Sequence, residues 1–310
     1  MEFVHKPVLF EQCMDILDIK KDGIYVDGTL GGGGHSYGIC ERLSGGRLIG
    51  IDRDKEAIAA ATKRLEAFLP KVSFANCNYS EIKEVLRKFE IFSIDGALLD
   101  LGVSSYQLDN PERGFGYMND APLDMRMSRD DVISARDVVN TYSEKQLTDI
   151  IRNYGEEKWA VRIAKFIVEK RMEKPIETTF ELNNVIKAAV PKNARRDGPH
   201  PSKRTFQAIR IEVNRELEKL QGALLDFFDV LSPGGVLAVI TFHSLEDRIT
   251  KEIFASLTQG CTCPREFPVC VCGGKPKGKL KNRKPIIADD AELDENPRSR
   301  SAKLRAIIKL

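Results

Sequence analysis

An α/β fold with a mostly parallel sheet, interrupted by an inserted all-helical domain, is what this 310-residue sequence predicts. Three observations predict it. Short apolar runs alternate with amphipathic helical periods over the first hundred residues, the pattern of a sheet covered on both faces. Residues 134–190 then read as helices only. After that block the strand–helix alternation resumes.

Taken in order, residues 23–30 (GIYVDGTL) read as a buried strand that ends in a glycine-rich turn. A helical pattern covers 36–43, and 47–54 (RLIGIDRD) is a second strand. Residues 55–69 are helical, 72–77 (VSFANC) form a third strand, 81–89 a helix and 93–102 (SIDGALLDLG) a fourth strand. The character changes near Val103. Residues 104–130 are rich in Gly, Pro, Asp and Arg and lack a long apolar period. Helical spacing marks 143–154, 157–173 and 180–190, with Ser143 and Thr179 as cap signals. A basic, proline-marked stretch (191–204) closes the block. Phe206, Ile209, Val213, Leu217, Leu220, Leu224, Phe228 and Leu231 then recur every three or four residues, predicting one long amphipathic helix ended by Pro233, Gly234 and Gly235. Residues 236–242 form a buried strand, 245–257 a helix and 303–310 a final strand. The domain boundaries read as 1–105 and 204–310 for the α/β domain and 106–203 for the helical insertion.

Composition excludes several classes. Hydrophobic residues are 42% and charged residues 30%, so the chain is neither disordered nor collagen-like. No apolar run approaches the ~18 residues of a membrane span. Charges spread through the N-terminus break up any secretory core, which points to the cytoplasm. The 48 basic and 46 acidic residues leave a formal charge of +2. A nucleic-acid binder is therefore not announced by the sum, and only clustered basic residues would reveal one. Seven cysteines without a secretory signal argue against a disulfide framework.

The chemistry begins at Asp27-Gly28-Thr29-Leu30-Gly31-Gly32-Gly33-Gly34-His35-Ser36. Consecutive glycines between a strand and a helix let a ligand approach the backbone, and the helix start offers it N–H groups. Asp52 ends the next strand, where an acidic side chain commonly accepts from ribose hydroxyls. The spacing misses the G-x-G-x-x-G dinucleotide fingerprint, because the third glycine would fall at Ser36. Asp27 would repel a pyrophosphate but suits the ammonium of a methionyl group. S-adenosylmethionine is thus favoured over a nicotinamide dinucleotide. Asp100 ends the fourth strand, so Asp27, Asp52 and Asp100 all fall at the carboxyl edge where open α/β sheets bind ligands.

Beyond this point the sequence resembles the MraW/RsmH family, bacterial methyltransferases that modify N4 of a cytidine in 16S ribosomal RNA. The matching segments are HKPVL (5–9), DGTLGGGGHS (27–36), IDRD (51–54), DLGVSSYQLD (100–109), ERGFGY (112–117) and PLDMRM (122–127). They continue with YGEEKWA (154–160), HPSKRTFQAIRIEVNREL (200–217), TFHSLEDR (241–248) and NPRSRSAKLR (296–305). Tyr106 and the pair Ser202-Lys203 depart from the pattern. The resemblance covers nearly the whole chain. It implies a class I S-adenosylmethionine-dependent methyltransferase fold, Rossmann-like with a helical insertion. It also implies that Gly33, Gly34 and His35 contact the cofactor, that Asp52 takes the ribose, that Tyr79 lies near the adenine, and that Asp100 and Gln107 complete the pocket.

The exocyclic amine of cytosine is a weak nucleophile, so a hydrogen-bond acceptor must orient it. Asp100 or a neighbouring backbone carbonyl is the candidate acceptor, assisted by Ser104 and Ser105. The Asn/Asp/Ser-Pro-Pro-aromatic turn of many amino-methyltransferases is absent. His243, after the strand 236–242, is a candidate for contacting the base or taking its proton. Glu246 and Asp247 read as helix N-terminal residues favoured by the dipole.

The expected RNA partner, 16S rRNA in the small ribosomal subunit, needs a basic surface. Arg113, Arg126 and Arg129 form one group. Lys192, Arg195, Arg196, Lys203, Arg204 and Arg210 form a second, and Lys275, Lys277, Lys279, Lys281, Arg283 and Lys284 a third, partly offset by DDAELDE (289–295). Phe115 and Tyr117 are candidates for stacking on a flipped base. Cys261, Cys263, Cys270 and Cys272 form Cys-x-Cys-x6-Cys-x-Cys. Zinc sites use pairs two to four residues apart more often, so a structural zinc is left open and no metal is assigned. A homodimer is compatible with the chain. Two other readings compete: a nicotinamide-dependent oxidoreductase, disfavoured by the glycine spacing, and a non-catalytic RNA-binding assembly factor, disfavoured by the three intact aspartates.

Overall fold

The computed structural model describes residues 7–195, 200–260, 263, 267, 269 and 271–310. The chain divides into two compact units: Met1–Gly102 with Leu217–Leu310, and Val103–Glu216. The first part runs α1 (Phe10–Leu17), β1 (Ile24–Asp27), α2 (Gly34–Arg42), β2 (Arg47–Asp52), α3 (Lys55–Arg64), β3 (Val72–Asn76), α4 (Ile82–Lys88), β4 (Ile94–Asp100). The second unit holds α5 (Ser105–Asp109), α6 (Ala135–Thr141), α7 (Glu144–Asn153), α8 (Ala160–Glu173), α9 (Thr179–Ala189) and α10 (Ser202–Asn214). The chain returns through α11 (Glu216–Val230), β5 (Leu231–Thr241), α12 (Ser244–Thr258), β6 (Gly278–Leu280), α13 (Asp290–Glu295) and β7 (Lys303–Lys309).

Among the described residues, seven strands form one sheet in the order β3-β2-β1-β4-β5-β7-β6. The first five are parallel, and β7 runs antiparallel to both its neighbours. Side chains alternate across this sheet with the period of two that strands impose. Tyr25, Leu98, Ala238 and Ile240 face one core together with α1 and α2. Val26, Ala97, Leu99, Leu237 and Val239 face the other with α4, α11 and α12. The strand order reverses between β1 and β4, where Asp27 lies opposite Leu98. That switch point is where open α/β sheets form a crevice.

The helical unit has its own core, built from Val138, Leu147, Ile151, Ile163, Ile167, Leu182, Ile186, Phe206 and Ile209. Its helices α6, α7 and α9 start with reciprocal caps at Ser134, Ser143 and Thr178. The cap of α9 is thus Thr178 and not Thr179, which is buried and donates its hydroxyl to Asn119 O at 2.6 Å.

The single long helix predicted over 206–231 is two helices. Arg215 takes the left-handed conformation (φ 50°) and closes α10 by donating to Ile211 O and Glu212 O. Beside it, Asn214 is drawn into the helical unit: its Oδ1 accepts from Met127 N and its Nδ2 donates to Met125 O. Apolar spacing survives the break because each helix keeps a buried face, so periodicity alone does not reveal it. At the far end, β5 already begins at Leu231, with an irregular register opposite Ile94–Gly96 and Gly234 at φ 81°. The three-residue edge strand β6 lies inside the basic run, too short to show a period.

Candidate active site

The glycine turn is built by backbone needs. Gly33 sits at φ 72° before α2, and a Cβ there would come 3.1 Å from the Ala61 Cβ. Pro7 packs where a Gly34 side chain would be. Gly32 differs: a Cβ there would meet nothing within 4 Å. The turn therefore opens toward free space at Gly32, and Gly33 has no side chain with which to cap the first N–H groups of α2. Gly33 and Gly34 are structural; the open Gly32 leaves room for a ligand against the backbone.

Asp27 and Asp52 brace this turn. Asp27 is buried, with Oδ2 accepting from Ser36 Oγ at 2.7 Å and Oδ1 from Thr29 N at 3.2 Å. Burial raises its pKa to about 6, against those two hydrogen bonds and with help from Asp52. Both oxygens thus work inside the turn, which differs from a direct contact with a ligand ammonium. Asp52 is half-buried; Oδ2 accepts from Gly31 N at 2.8 Å and Oδ1 from Asp54 N at 2.9 Å. Burial raises it also to about 6, opposed by the same two bonds. Tyr79 begins the turn after β3, its Cβ 3.4 Å from where a Gly28 side chain would stand. The Asn78–Glu81 reciprocal cap sets that turn.

Asp100 ends β4 next to this turn. Its backbone N–H donates to Thr29 Oγ1 at 2.6 Å, a tie that sequence reasoning missed. Its Oδ1 is buried without a hydrogen-bond partner, and its Oδ2 lies 3.8 Å from His35 Nδ1. Burial, with added repulsion from Asp27 and Glu246, raises its pKa to about 8. An orphaned carboxyl oxygen in such a place awaits a donor. His35 is buried and its Nε2 meets Val8 O at 3.0 Å. Burial, and secondarily Arg64, lower its pKa to about 4, although the Val8 contact opposes this, so the imidazole is neutral.

His243 precedes α12 and is half-buried; both ring nitrogens lack a hydrogen-bond partner, although Nε2 lies 3.1 Å from Glu246 Oε1. Glu246 is itself buried, its Oε2 accepting from Phe242 N at 2.9 Å and His243 N at 3.3 Å. Glu246 stands at the start of α12, as its charge predicts, but its hold on His243 has no sequence signal. Asp247 instead pairs with Arg305 (2.6 Å) and Lys303 (3.0 Å) on β7.

The remaining candidates belong to the helical unit. Ser104 caps α5, its Oγ accepting from Gln107 N, while Gln107 Oε1 accepts from Ser104 N. Gln107 is buried and its Nε2 donates to Met127 O. The geometry gives both side chains a capping task, which is a structural reason for their presence. Three arginines assigned to an RNA rim are likewise engaged: Arg113 is buried and donates to Arg126 O and Met127 O, Arg126 forks Asp124, and Arg210 forks Glu216. Phe115 is buried in the helical core, and Tyr117 stacks on His200 at 4.5 Å, so neither stands out as a platform for a base. The cysteine cluster cannot be assembled, because Cys261 and Cys270 lie outside the described residues, as does Arg196.

A sequence profile of the MraW methylase family matches residues 2–310. The chain belongs to that family. Among curated relatives, the "Ribosomal RNA small subunit methyltransferase H" of Lachnospira eligens is 58% identical over 311 residues, covering 100% of this chain and 99% of the relative. That of Clostridioides difficile is 54% identical over 311 residues and covers all of both chains. A solved rRNA methylase from Streptococcus thermophilus is similar at 11% identity, covering 99% of each chain, with a TM-score of 0.44. Family membership makes S-adenosylmethionine the methyl donor. The open backbone at Gly32 and the unpartnered Asp100 oxygen fit a compact ligand with donor groups, and the acids at Asp27 (buried) and Asp52 (half-buried) suit a cation better than a phosphate. Among the described residues, no helix is long and apolar enough to cross a membrane.

Proposed function

We propose that this chain transfers a methyl group from S-adenosylmethionine to N4 of a cytidine in 16S rRNA of the small ribosomal subunit, in the cytoplasm. The observation that carries the reading is a carboxyl with one unpartnered oxygen, Asp100 Oδ1, at the end of β4 beside a glycine turn open at Gly32, in a chain of this family. S-adenosylmethionine supplies, when bound, an electrophilic methyl on a sulfonium sulfur. The protein's part is to hold both partners and to manage one proton.

Gly31–Gly34 would offer backbone to the donor, and Asp52, which keeps Gly31 in place, would accept from ribose hydroxyls with its remaining lone pairs. Tyr79, at the turn after β3, would lie on the adenine side. Asp100 accepts a hydrogen bond from the cytosine amine, which orients the nitrogen lone pair toward the methyl group. Methylation of the amine would leave one proton to be removed from N4, and the raised pKa of Asp100 makes its carboxylate a base matched to that task. A cation beside Asp100 favours its ionised form, so occupancy of the donor site prepares the acceptor. His243, held by Glu246, lies at the end of the neighbouring strand and serves the base or its proton. Orientation contributes most: well-aligned reactants gain up to ~7–11 kcal/mol.

The lysines around β6 supply the phosphate surface. Lys275, Lys277, Lys279, Lys281, Arg283 and Lys284 are all exposed. Lysines also guard a sheet edge, but six cations within ten residues exceed what a three-residue strand needs. Titration of the protein with S-adenosylmethionine and with NADH tests the cofactor: saturable binding of the first alone supports the reading, and binding of the second alone contradicts it.

A further inference from the structure

The turn that carries His35 is held by a residue 283 positions downstream of its neighbour Leu9. Leu9 is fully buried, left-handed (φ 52°) and precedes α1 with no side-chain cap. Such a backbone is unfavourable for a branched residue and persists only where surroundings enforce it. Glu292 of α13 provides the enforcement, its Oε1 accepting from Leu9 N at 2.6 Å. The carboxylate also meets the positive end of α1. The two residues before Leu9 touch the glycine turn: Val8 O faces His35 Nε2 at 3.0 Å, and Pro7 packs on Gly34. A carbonyl only accepts, so Nε2 carries the ring proton and Nδ1 is left bare, 3.8 Å from Asp100 Oδ2.

We propose that Glu292 is a positioning residue for the methyl-donor turn. By holding Leu9 it keeps Pro7–Val8 clamped over Gly34 and His35, fixes the His35 tautomer, and thereby sets which atom faces Asp100. This rests on the reading of the glycine turn as the S-adenosylmethionine site. The acidic run 289–295, which in sequence only offsets a basic stretch, contributes a latch: Asp289 caps Glu292 N at 2.8 Å and Leu293 packs into the core beside α1.

The test titrates S-adenosylmethionine into the full chain and into Glu292→Ala and Glu292→Gln. Glu292→Ala weakens binding about five- to tenfold, within the roughly 2- to 30-fold span of residues that act through others. Glu292→Gln keeps an accepting Oε1 and stays within about twofold. Unchanged binding in Glu292→Ala, or equal loss in both variants, overturns the proposal. Imidazole 15N spectra, with His35→Asn for assignment, give a second readout, whose wild-type part does not depend on the Glu292 variants. The wild-type ring shows a protonated Nε2 and a bare Nδ1, and Glu292→Ala shows a mixture. A protonated Nδ1 in the wild type, or an unchanged tautomer in Glu292→Ala, contradicts the latch. If the wild type binds no S-adenosylmethionine while the 15N pattern holds, the proposed function fails and the positioning stands.

Discussion

Asp100 and Thr29 are joined by a 2.6 Å hydrogen bond from the Asp100 backbone N–H to the Thr29 hydroxyl, which ties the end of β4 to the glycine turn after β1. The two strands that flank the switch point therefore present the proposed acceptor and the donor-binding backbone in fixed relation.

Replacing Thr29 by Val keeps the volume and removes the acceptor. A fully buried N–H left unpaired costs about 1–3 kcal/mol, and this half-buried one costs toward the low end. Thermal unfolding should show that loss, and methyl transfer should lose kcat more than donor affinity, because Asp100 is the group released. Equal turnover in Thr29→Val would show that the tie does not matter.

The acids at the sheet edge make the free protein less stable as pH rises. Asp27 and Asp52 are raised to about 6 and Asp100 to about 8, all from 3.8. The folded state thus holds protons that the unfolded chain has released, so the stability they contribute is full below pH ~4 and is lost as pH rises through ~6 and then ~8. Asp100→Asn removes the last step. Its melting temperature at pH 8.5 should exceed that of the wild type by roughly 2–4 °C, the shift from ~1 kcal/mol in a protein of this size. A wild-type melting curve flat from pH 6 to 9 contradicts the raised Asp100.

Two glycines separate folding from binding. Gly33→Ala meets a left-handed φ of 72° and the Ala61 side chain, a cost of about 1–2 kcal/mol from the backbone alone. Gly32→Ala enters open space and should leave the melting temperature unchanged while blocking S-adenosylmethionine. Calorimetry and equilibrium binding on the same two variants check this; normal binding by Gly32→Ala would move the donor elsewhere.

Changing Lys277, Lys279 and Lys281 to Glu should raise KM for small ribosomal subunits and leave the affinity for S-adenosylmethionine untouched. The slope of log K against log salt should fall by roughly 0.7–0.9 for each phosphate that is no longer neutralised. An unchanged KM and salt slope would return these lysines to a role in guarding the edge of the sheet.

The strand ends were legible in sequence because parallel strands buried on both faces read as continuous apolar runs, and Asp27, Asp52 and Asp100 stand out where those runs stop. The glycine turn was legible for the same reason. Orientation was not. Nothing in the spacing says that Asp27 turns inward to Ser36, or that Arg113, Arg126 and Arg210 spend their guanidinium groups on carbonyls and carboxylates of their own unit. Ser104 and Gln107 resemble site residues in sequence, and their spacing of three is equally that of a reciprocal cap. The break at Arg215 is hidden because a left-handed residue between two amphipathic helices barely disturbs the apolar period. Glu292 is invisible to any local reading, since its partner is the backbone of Leu9.

The most direct test of this mechanism is transfer of a labelled methyl group from S-adenosylmethionine to small ribosomal subunits lacking the modification, with nucleoside mass spectrometry of the product. The expected outcome is N4-methylcytidine at one site with the wild type, and in Asp100→Ala a folded protein with that product lost. Labelling of a different nucleoside, or full turnover by Asp100→Ala, would contradict it.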